Sequence, residues 1–248
     1  VVDDASDSDP SPQLADLGNK VQLYRLPERS GANVARNHGV SKARGSFVAF
    51  LDDDDIWLPE KTRTQLRAMG EAQEARAGSD AATEIEACIC IAQGMDGEPD
   101  KPHHIADVQE RLRVSIPGGT TGLIARRTAM LEEPFDKTLR RAQDWDVCVR
   151  LAQRGGLMLV EKPLYIRRVG HDRITTQVMD QTPAELYETA AATHKHRAWL
   201  GEPAYKRRLA VIMLSYISYR KSKLLYLAAA IRYAGLRATL SVLASKLR

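Results

Sequence analysis

The sequence has few cysteines and no long apolar run, and both absences restrict the class of protein. Its 248 residues include three cysteines, an odd and sparse set that argues against a disulfide framework and fits a reducing compartment. No apolar run approaches the roughly 20 residues that cross a bilayer, and the acidic residues 1–9 lack the basic and apolar parts of a secretion signal. We therefore expect a cytoplasmic protein.

Two of the cysteines, Cys88 and Cys90, lie in the apolar run 87–92. Their spacing places both on one face of a strand. A metal site would need further Cys or His at ligand spacing, and the sequence offers none nearby. We interpret them as small buried thiols.

Acidic residues are missing from the C-terminal part. Residues 203–248 contain ten Lys or Arg and no Asp or Glu, whereas the other 202 residues carry 26 basic and 32 acidic side chains. The net charge of +4 therefore comes from the C-terminal segment alone. Its apolar stretches are too short to span a membrane, so two interpretations stay open: basic helices at an anionic membrane surface, or helices packed on the rest of the chain or on another subunit. Nucleic-acid binding is not expected, because no nucleic-acid-binding pattern appears.

Apolar periodicity predicts alternating strands and helices, which indicates an α/β fold with a mainly parallel sheet flanked by helices. Residues 94–114 are predicted to be an irregular excursion, and a helical extension follows the sheet. The predicted strands are 21–26, 46–51, 84–93 and 157–160, and the predicted helices are 31–43, 60–77, 143–154 and most of 182–248.

Four consecutive aspartates, Asp52 to Asp55, follow the apolar strand 46–51. In such folds ligands bind beyond the carboxyl ends of the strands. Adjacent carboxylates are costly unless a positive group neutralises them, and Mg²⁺ or Mn²⁺ takes carboxylate and phosphate oxygens. The run is therefore either a nucleotide-diphosphate and metal site, or a solvated loop that precedes a helix.

Several ordered motifs resemble the family 2 glycosyltransferases, which have the GT-A fold. They are G-x-x-x-A-R-N-x-G at 31–39, F-L-D-D-D-D-x-W-x-P-x-K at 50–61 and Q-D-W-D-x-x-x-R-L at 143–151. The opening V-V-D-D-A-S-D also resembles the second strand of that family, and the match covers roughly residues 1–176. A single Asp-x-Asp would be weak evidence, but several motifs in order are specific.

The resemblance implies an inverting, metal-dependent transfer of a sugar from a nucleotide-sugar donor to an acceptor hydroxyl, in polysaccharide or surface-glycan biosynthesis. It implies a glycan or lipid-linked acceptor and Mn²⁺ or Mg²⁺ as the metal. By resemblance, Asp144 is the general base, Asp52 and Asp54 are the metal ligands, Asp3, Asp4, Arg36 and Asp53 contact the nucleotide sugar, and His171 or Arg173 contacts the diphosphate or the metal. Asp144 could also cap the helix that follows it, alone or together with a role as the base. Asp55 could instead cap the helix after the acidic run.

Two departures from the family pattern bear on activity. The family's opening strand and helix have no counterpart here, so we expect an unpaired slot in the sheet. Gln143 stands where the family often has Glu. The alternative to an enzyme is thus a non-catalytic nucleotide-sugar-binding or membrane-surface remnant of one. We divide the chain into a catalytic domain over 1–180 and a basic helical extension over 181–248, which could bring the protein to the inner face of the membrane.

Overall fold

The computed structural model describes residues 1–77, 84–98, 107–168 and 180–246. Seven strands are present in the described residues: β1 Val2–Asp3, β2 Tyr24–Arg25, β3 Phe47–Ala49, β4 Asp55–Trp57, β5 Ala87–Gln93, β6 Leu123–Arg126 and β7 Leu157–Arg167.

Helices fill most of the remaining described chain, and short 3₁₀ turns cover 15–20, 120–122 and 217–219. They are α1 Ser11–Leu14, α2 Ala32–Lys42, α3 Lys61–Arg76, α4 Val108–Val114, α5 Arg127–Glu132, α6 Gln143–Gln153, α7 Pro183–Glu188, α8 Ala191–Lys195, α9 Arg197–Met213, α10 Lys223–Ala234 and α11 Leu236–Lys246.

The strands form two sheets. β1 and β2 make a two-stranded parallel sheet, and the other five make a sheet of order β3-β6-β5-β7-β4. Within the larger sheet only the β5–β7 pair is parallel, while β3–β6, β5–β6 and β4–β7 are antiparallel. The α/β class and the helical C-terminal part are as predicted, but the sheet is mixed rather than mainly parallel.

The direction of β6 accounts for two of the three antiparallel pairs, β3–β6 and β5–β6. A helix between two strands predicts a parallel crossover only if that helix packs across the sheet. Helix α4 lies between β5 and β6, in a region predicted to be irregular, and it packs mainly against α6 and α9. The chain therefore returns beside β5 in the opposite direction.

Strand β5 lies in the middle of the larger sheet and is buried along almost its whole length. Cys88 and Cys90 are fully buried on it as free thiols, in agreement with the prediction. Burial raises the pKa of Cys88 to about 12 and that of Cys90 to about 11. Both thiols are therefore core residues and poor nucleophiles at neutral pH.

The C-terminal helices pack onto the α/β part through one continuous hydrophobic cluster. This cluster contains Val48 of β3, Trp145 of α6, Leu209 of α9 and Val242 of α11. The predicted break near Gly201 is present, because Gly201 leaves the helical conformation at φ 70° shortly before Pro203. None of the helices in the described residues is both long and apolar enough to cross a membrane. The division of the chain at residue 180 stays a prediction.

Candidate active site

Arg36, on α2, meets the first aspartate of the acidic run. Its Nη2 lies 2.8 Å from Oδ1 of Asp52, and its guanidinium carbon lies 5.5 Å from the centre of the Phe135 ring. The Arg36 side chain is 17% exposed and that of Asp52 36% exposed, so the ion pair is only partly screened by water. Helix α2, which carries Arg36, begins after Gly31. This N-terminal cap adopts φ 92°, a conformation that favours glycine.

Thr121, in the glycine-rich segment 118–122, connects to both ends of the acidic run. The Asp52 N–H donates a hydrogen bond to Thr121 Oγ1 at 3.1 Å, and the Thr121 hydroxyl also interacts with Asp55. Burial raises the pKa of Asp55, and the neighbouring Asp54 and Asp52 carboxylates add to the effect. Asp55 is the first residue of β4, and α3 begins only at Lys61. The alternative that Asp55 caps the following helix is therefore incorrect.

Asp144 lies in the first turn of α6, and its Oδ1 accepts a hydrogen bond from the Trp145 N–H at 2.8 Å. The N-terminal cap of α6 is Ala142, in the left-handed region at φ 54°, so the interpretation of Asp144 as the cap is also incorrect. Burial raises the pKa of Asp144; Arg36 opposes this shift and Asp52 reinforces it. A carboxyl group with a raised pKa is a stronger base than an ordinary aspartate, as general-base catalysis requires.

The glycines of the segment 118–122 allow it to lie against the sheet beside Asp144. A Cβ on Gly118 would overlap the carbonyl oxygen of Cys90, and a Cβ on Gly122 would lie 2.7 Å from the same atom. A Cβ on Gly119 would lie 4.0 Å from Oδ2 of Asp144. The Gly119 N–H donates to the Tyr165 hydroxyl at 2.9 Å. This segment therefore connects the acidic run to the wall of the site next to Asp144.

Asp53 and Asp54, in the middle of the acidic run, are exposed. Across the described residues no group of three or more His, Cys, Asp or Glu side chains is close enough to hold a metal by itself. Asp52 and Asp54 are oxygen ligands of the kind that Mg²⁺ and Mn²⁺ prefer. They fit a metal held by one or two carboxylates together with phosphate oxygens, and they do not fit an all-protein cage.

Asp3 and Asp4, predicted to contact the nucleotide, have backbone and side-chain partners of their own. Asp3 is 7% exposed and its Oδ2 lies 3.2 Å from Nε of Arg25. The two oxygens of Asp4 accept hydrogen bonds from the N–H groups of Ser30 and Gly31, each at 2.7 Å. Asp4 thereby fixes the loop that leads into α2, and its contact with a nucleotide stays a prediction.

The structure thus brings Arg36, Asp52 and Asp144 into mutual electrostatic contact. His171 and Arg173 lie outside the described residues. No motif in the sequence points to Thr121 or Arg208 as site residues. Thr121 lies between Gly119 and Gly122, and these glycines are a local signal for a close backbone approach. Arg208 belongs to a basic run with no pattern that distinguishes it from its neighbours.

The family model described as Glycosyl transferase family 2 matches residues 1–79. TuaG of Bacillus subtilis, named for a glycosyltransferase role in teichuronic acid biosynthesis, is 32% identical over 163 residues, which cover 62% of this chain and 60% of TuaG. The amylovoran biosynthesis glycosyltransferase AmsB of Erwinia amylovora is 28% identical over 155 residues, which cover 59% of this chain and 50% of AmsB. The chain therefore spans 60% or less of the length of these relatives.

Two solved structures share the fold. A crystal structure of S. aureus TarS 1–349 in complex with UDP-GlcNAc has a TM-score of 0.61 at 17% identity, covering 96% of this chain and 72% of that one. The mannosyltransferase PcManGT from Pyrobaculum calidifontis, in complex with GDP-Man and Mn²⁺, has a TM-score of 0.51 at 21% identity, covering 100% of this chain and 69% of that one. At these identities the similarity concerns the fold alone.

Proposed function

We propose that this chain transfers a sugar from a nucleotide-sugar donor to an acceptor hydroxyl, with inversion at the anomeric carbon. Two similarities support the proposal: residues 1–79 match the model of Glycosyl transferase family 2, and the fold is that of GT-A glycosyltransferases. The observation that carries this proposal is the position of Asp144. It is a carboxyl group with a raised pKa, within electrostatic reach of the Arg36–Asp52 ion pair at the acidic run. The candidate base and the candidate donor-binding groups therefore line one site.

The proposed reaction uses Asp144 as a general base. An alkyl hydroxyl is too weakly acidic to ionise beforehand, so Asp144 takes its proton while the oxygen attacks the anomeric carbon. The bond from that carbon to the nucleotide diphosphate breaks on the opposite face, which inverts the anomeric centre. Asp144 keeps the proton and the diphosphate leaves with the electron pair.

The acidic run is proposed to bind the donor. Asp54 and Asp52 would hold Mn²⁺ or Mg²⁺ together with the diphosphate oxygens, and Asp53 would lie near the ribose or the diphosphate. When bound, the metal would stabilise the negative charge that grows on the leaving group. Arg36 is close enough to Asp52 to orient it, and it would add positive charge beside the phosphates.

The names of TuaG and AmsB support a role in polysaccharide biosynthesis, with a glycan or lipid-linked acceptor. We also propose peripheral membrane association through α10 and α11. Large apolar side chains are exposed there, with Leu224 at 80% and Leu236 at 56%, and they stand next to the basic residues Lys223 and Arg237. This combination is typical of helices that lie at an anionic lipid surface.

The donor site is tested by calorimetry with UDP and GDP, in the presence and absence of Mn²⁺. We expect one nucleotide to bind in a metal-dependent manner, and Asp54→Ala to abolish that dependence because a ligand to the metal is lost. The matched control is Asp16→Ala, since Asp16 is an exposed aspartate far along the chain from the acidic run. If neither nucleotide binds to the folded protein, the chain is a non-catalytic remnant and the proposal fails.

The role of the base is tested by transfer assays across pH with Asp144→Asn. We expect the wild-type rate to rise with pH through a value above the ordinary aspartate pKa, because burial raises the pKa of Asp144 and only the ionised form accepts a proton. Asp144→Asn should keep nucleotide binding and lose at least about a hundredfold in rate. A variant that transfers sugar at the wild-type rate would show that Asp144 is not the base.

A further inference from the structure

A pocket of about 330 Å³ opens beside Asp144, between the α/β part and the C-terminal helices. Its walls come from the end of α4, the start of α6 and the C-terminal half of α9. Most of the lining side chains are apolar, and the charged ones are Asp144 and Arg208. The apolar side chains include Val114, Ile116, Val211 and Ile212. Neither the acidic run nor its arginine lines this pocket, so it is separate from the proposed donor side.

Arg208 lies with its guanidinium over a buried aromatic ring. Its guanidinium carbon is 3.6 Å from the centre of the Trp145 ring. Trp145 is 1% exposed, its Nε1 donates to the Leu112 carbonyl oxygen at 2.8 Å, and the His196 ring contacts it edge-on at 5.3 Å. These contacts fix the position of the ring, and the cation–π interaction holds the guanidinium at the pocket wall.

Arg208 has an unsatisfied hydrogen-bond donor at this position. Its Nε is buried and finds no hydrogen-bond partner among the residues that the structure describes. Burial lowers the pKa of Arg208 to about 10, an effect that the charge of Asp144 opposes, so the side chain is cationic at neutral pH. A buried cationic donor without a partner is costly, and an oxyanion in the pocket would remove that cost.

We propose that this pocket is an acceptor subsite in which Arg208 binds a phosphate group of an amphipathic acceptor. The planar guanidinium can donate two parallel hydrogen bonds to phosphate oxygens. The apolar part of the acceptor would lie against Ile116, Val211 and Ile212, and a sugar hydroxyl would face Asp144. The inference rests on the proposed function, because it takes Asp144 to be the base that the acceptor must reach.

The test measures binding of geranyl phosphate to the full chain by calorimetry. Inorganic phosphate and geraniol are measured separately, because they represent the phosphate group and the apolar chain, the two halves of that probe. We expect geranyl phosphate to bind at least about tenfold more tightly than either half, and Arg208→Gln to weaken it at least about tenfold, since a charge-assisted hydrogen bond is lost. Arg207→Gln is the matched control, because Arg207 is the adjacent arginine of α9 and does not line the pocket. It should leave the affinity unchanged.

A folded Arg208→Gln variant with wild-type affinity would overturn the proposal, and so would geraniol binding as tightly as geranyl phosphate. If Arg208→Gln does not fold, Arg208→Lys replaces it, because lysine keeps the positive charge but lacks the planar guanidinium with its two parallel donors. Weaker binding of geranyl phosphate then supports the proposal, and unchanged binding overturns it. UDP and GDP binding, measured on the same samples, separates the two proposals. If UDP or GDP binds but Arg208→Gln leaves the affinity for geranyl phosphate unchanged, the acceptor subsite is overturned and the proposed function stands. Geranyl phosphate binding through Arg208 without any nucleotide binding would overturn its use as an acceptor subsite.

Discussion

Asp146 provides the sharpest test of how the C-terminal helices are held to the α/β part. Its side chain is fully buried on α6 and accepts hydrogen bonds from α6 itself and from the end of α8. Nε2 of His196 lies 2.7 Å from Oδ1 and Nζ of Lys195 lies 2.9 Å from the same atom. Arg150 donates to Oδ2 through Nε at 3.1 Å and through Nη2 at 3.0 Å. We predict that Asp146→Asn lowers the stability of the whole chain.

The magnitude follows from these partners. Removing one member of a buried charge network costs about 3–5 kcal/mol when the remaining charge has no other partner. Here Lys195 also contacts Asp136 at 2.7 Å and Arg150 contacts Glu133 at 2.5 Å, and the amide of Asn keeps one acceptor oxygen. We therefore expect a smaller loss of about 2–3 kcal/mol in the free energy of unfolding. For a chain of this size that lowers the melting temperature by roughly 4–12 °C.

The effect should depend on pH. Burial alone would raise the pKa of Asp146, but the hydrogen bonds from His196 and Lys195 and the charge of Arg150 outweigh it, so the pKa lies below its usual range. A lowered pKa in the folded state stabilises the fold above the unfolded value of about 3.9 and stops doing so as the pH falls through the folded value. The wild type should therefore exceed the variant above about pH 5, and the two should converge in acid.

Thermal unfolding followed by circular dichroism from pH 3 to pH 8 checks both expectations. Asp16→Asn is the control, because Asp16 is an exposed aspartate outside this network and its substitution should change the stability by less than about 0.5 kcal/mol. If Asp146→Asn unfolds with the wild type at pH 7, the network contributes nothing to stability. A difference that stays constant down to pH 3 would show that the carboxylate charge is not its source.

Two further predictions concern packing around glycine and cysteine. Gly118→Ala should lower the free energy of unfolding by more than about 2 kcal/mol, because the new methyl group would overlap a backbone carbonyl oxygen. Gly70→Ala, in the interior of α3 with open space around it, should instead raise it by about 0.5–1 kcal/mol, and chemical denaturation measures both variants. The three buried cysteines should resist a thiol-specific disulfide reagent at pH 8 until the chain is unfolded, since burial raises the pKa of each; rapid labelling of the native protein would contradict their assignment to the core.

Local signals predicted the helices well and the strand pairings poorly. Helices α2, α3 and α6 lie within a residue or two of their predicted bounds, because apolar spacing and glycine punctuation are visible in the sequence. Helix α4 was missed although it carries a recognisable start signal: Asp107 accepts a hydrogen bond from the N–H of Glu110, three residues later. Pairing direction depends on where the connecting segment packs, and no local pattern encodes that.

The candidate site shows the same limit. The acidic run and Asp144 could be identified from residue order, and the structure connects them through Arg36. The contact between Arg208 and Trp145 joins residues 63 positions apart and depends on how α9 packs against α6. The hydrogen bonds that the two oxygens of Asp4 accept from the backbone at the start of α2 also depend on tertiary packing. Sequence order identifies reactive residue types, whereas their partners depend on tertiary packing.

The contacts of α6 also bear on the predicted division of the chain. A fragment of residues 1–180 would lack the partners of Asp146 on α8 and the residues that cover the Trp145 ring, namely His196, Trp199 and Arg208. Asp146 would lose Lys195 and His196 but keep Arg150, which costs about 2–3 kcal/mol, and an uncovered large aromatic side chain costs up to about 3 kcal/mol more. Their sum reaches the lower end of the whole stability of a typical domain, about 5–15 kcal/mol.

We therefore predict that residues 1–180 do not fold cooperatively when expressed alone. Thermal unfolding and binding of a hydrophobic dye report this directly. A fragment of residues 1–235 is the control, because it lacks α11 and keeps every contact of α6 with α8 and α9. It should unfold cooperatively at a lower temperature than the full chain. If residues 1–180 unfold in one sharp transition and bind no dye, the division at residue 180 is also a folding boundary, and the C-terminal helices would then add Arg208 to the site without being needed to build it.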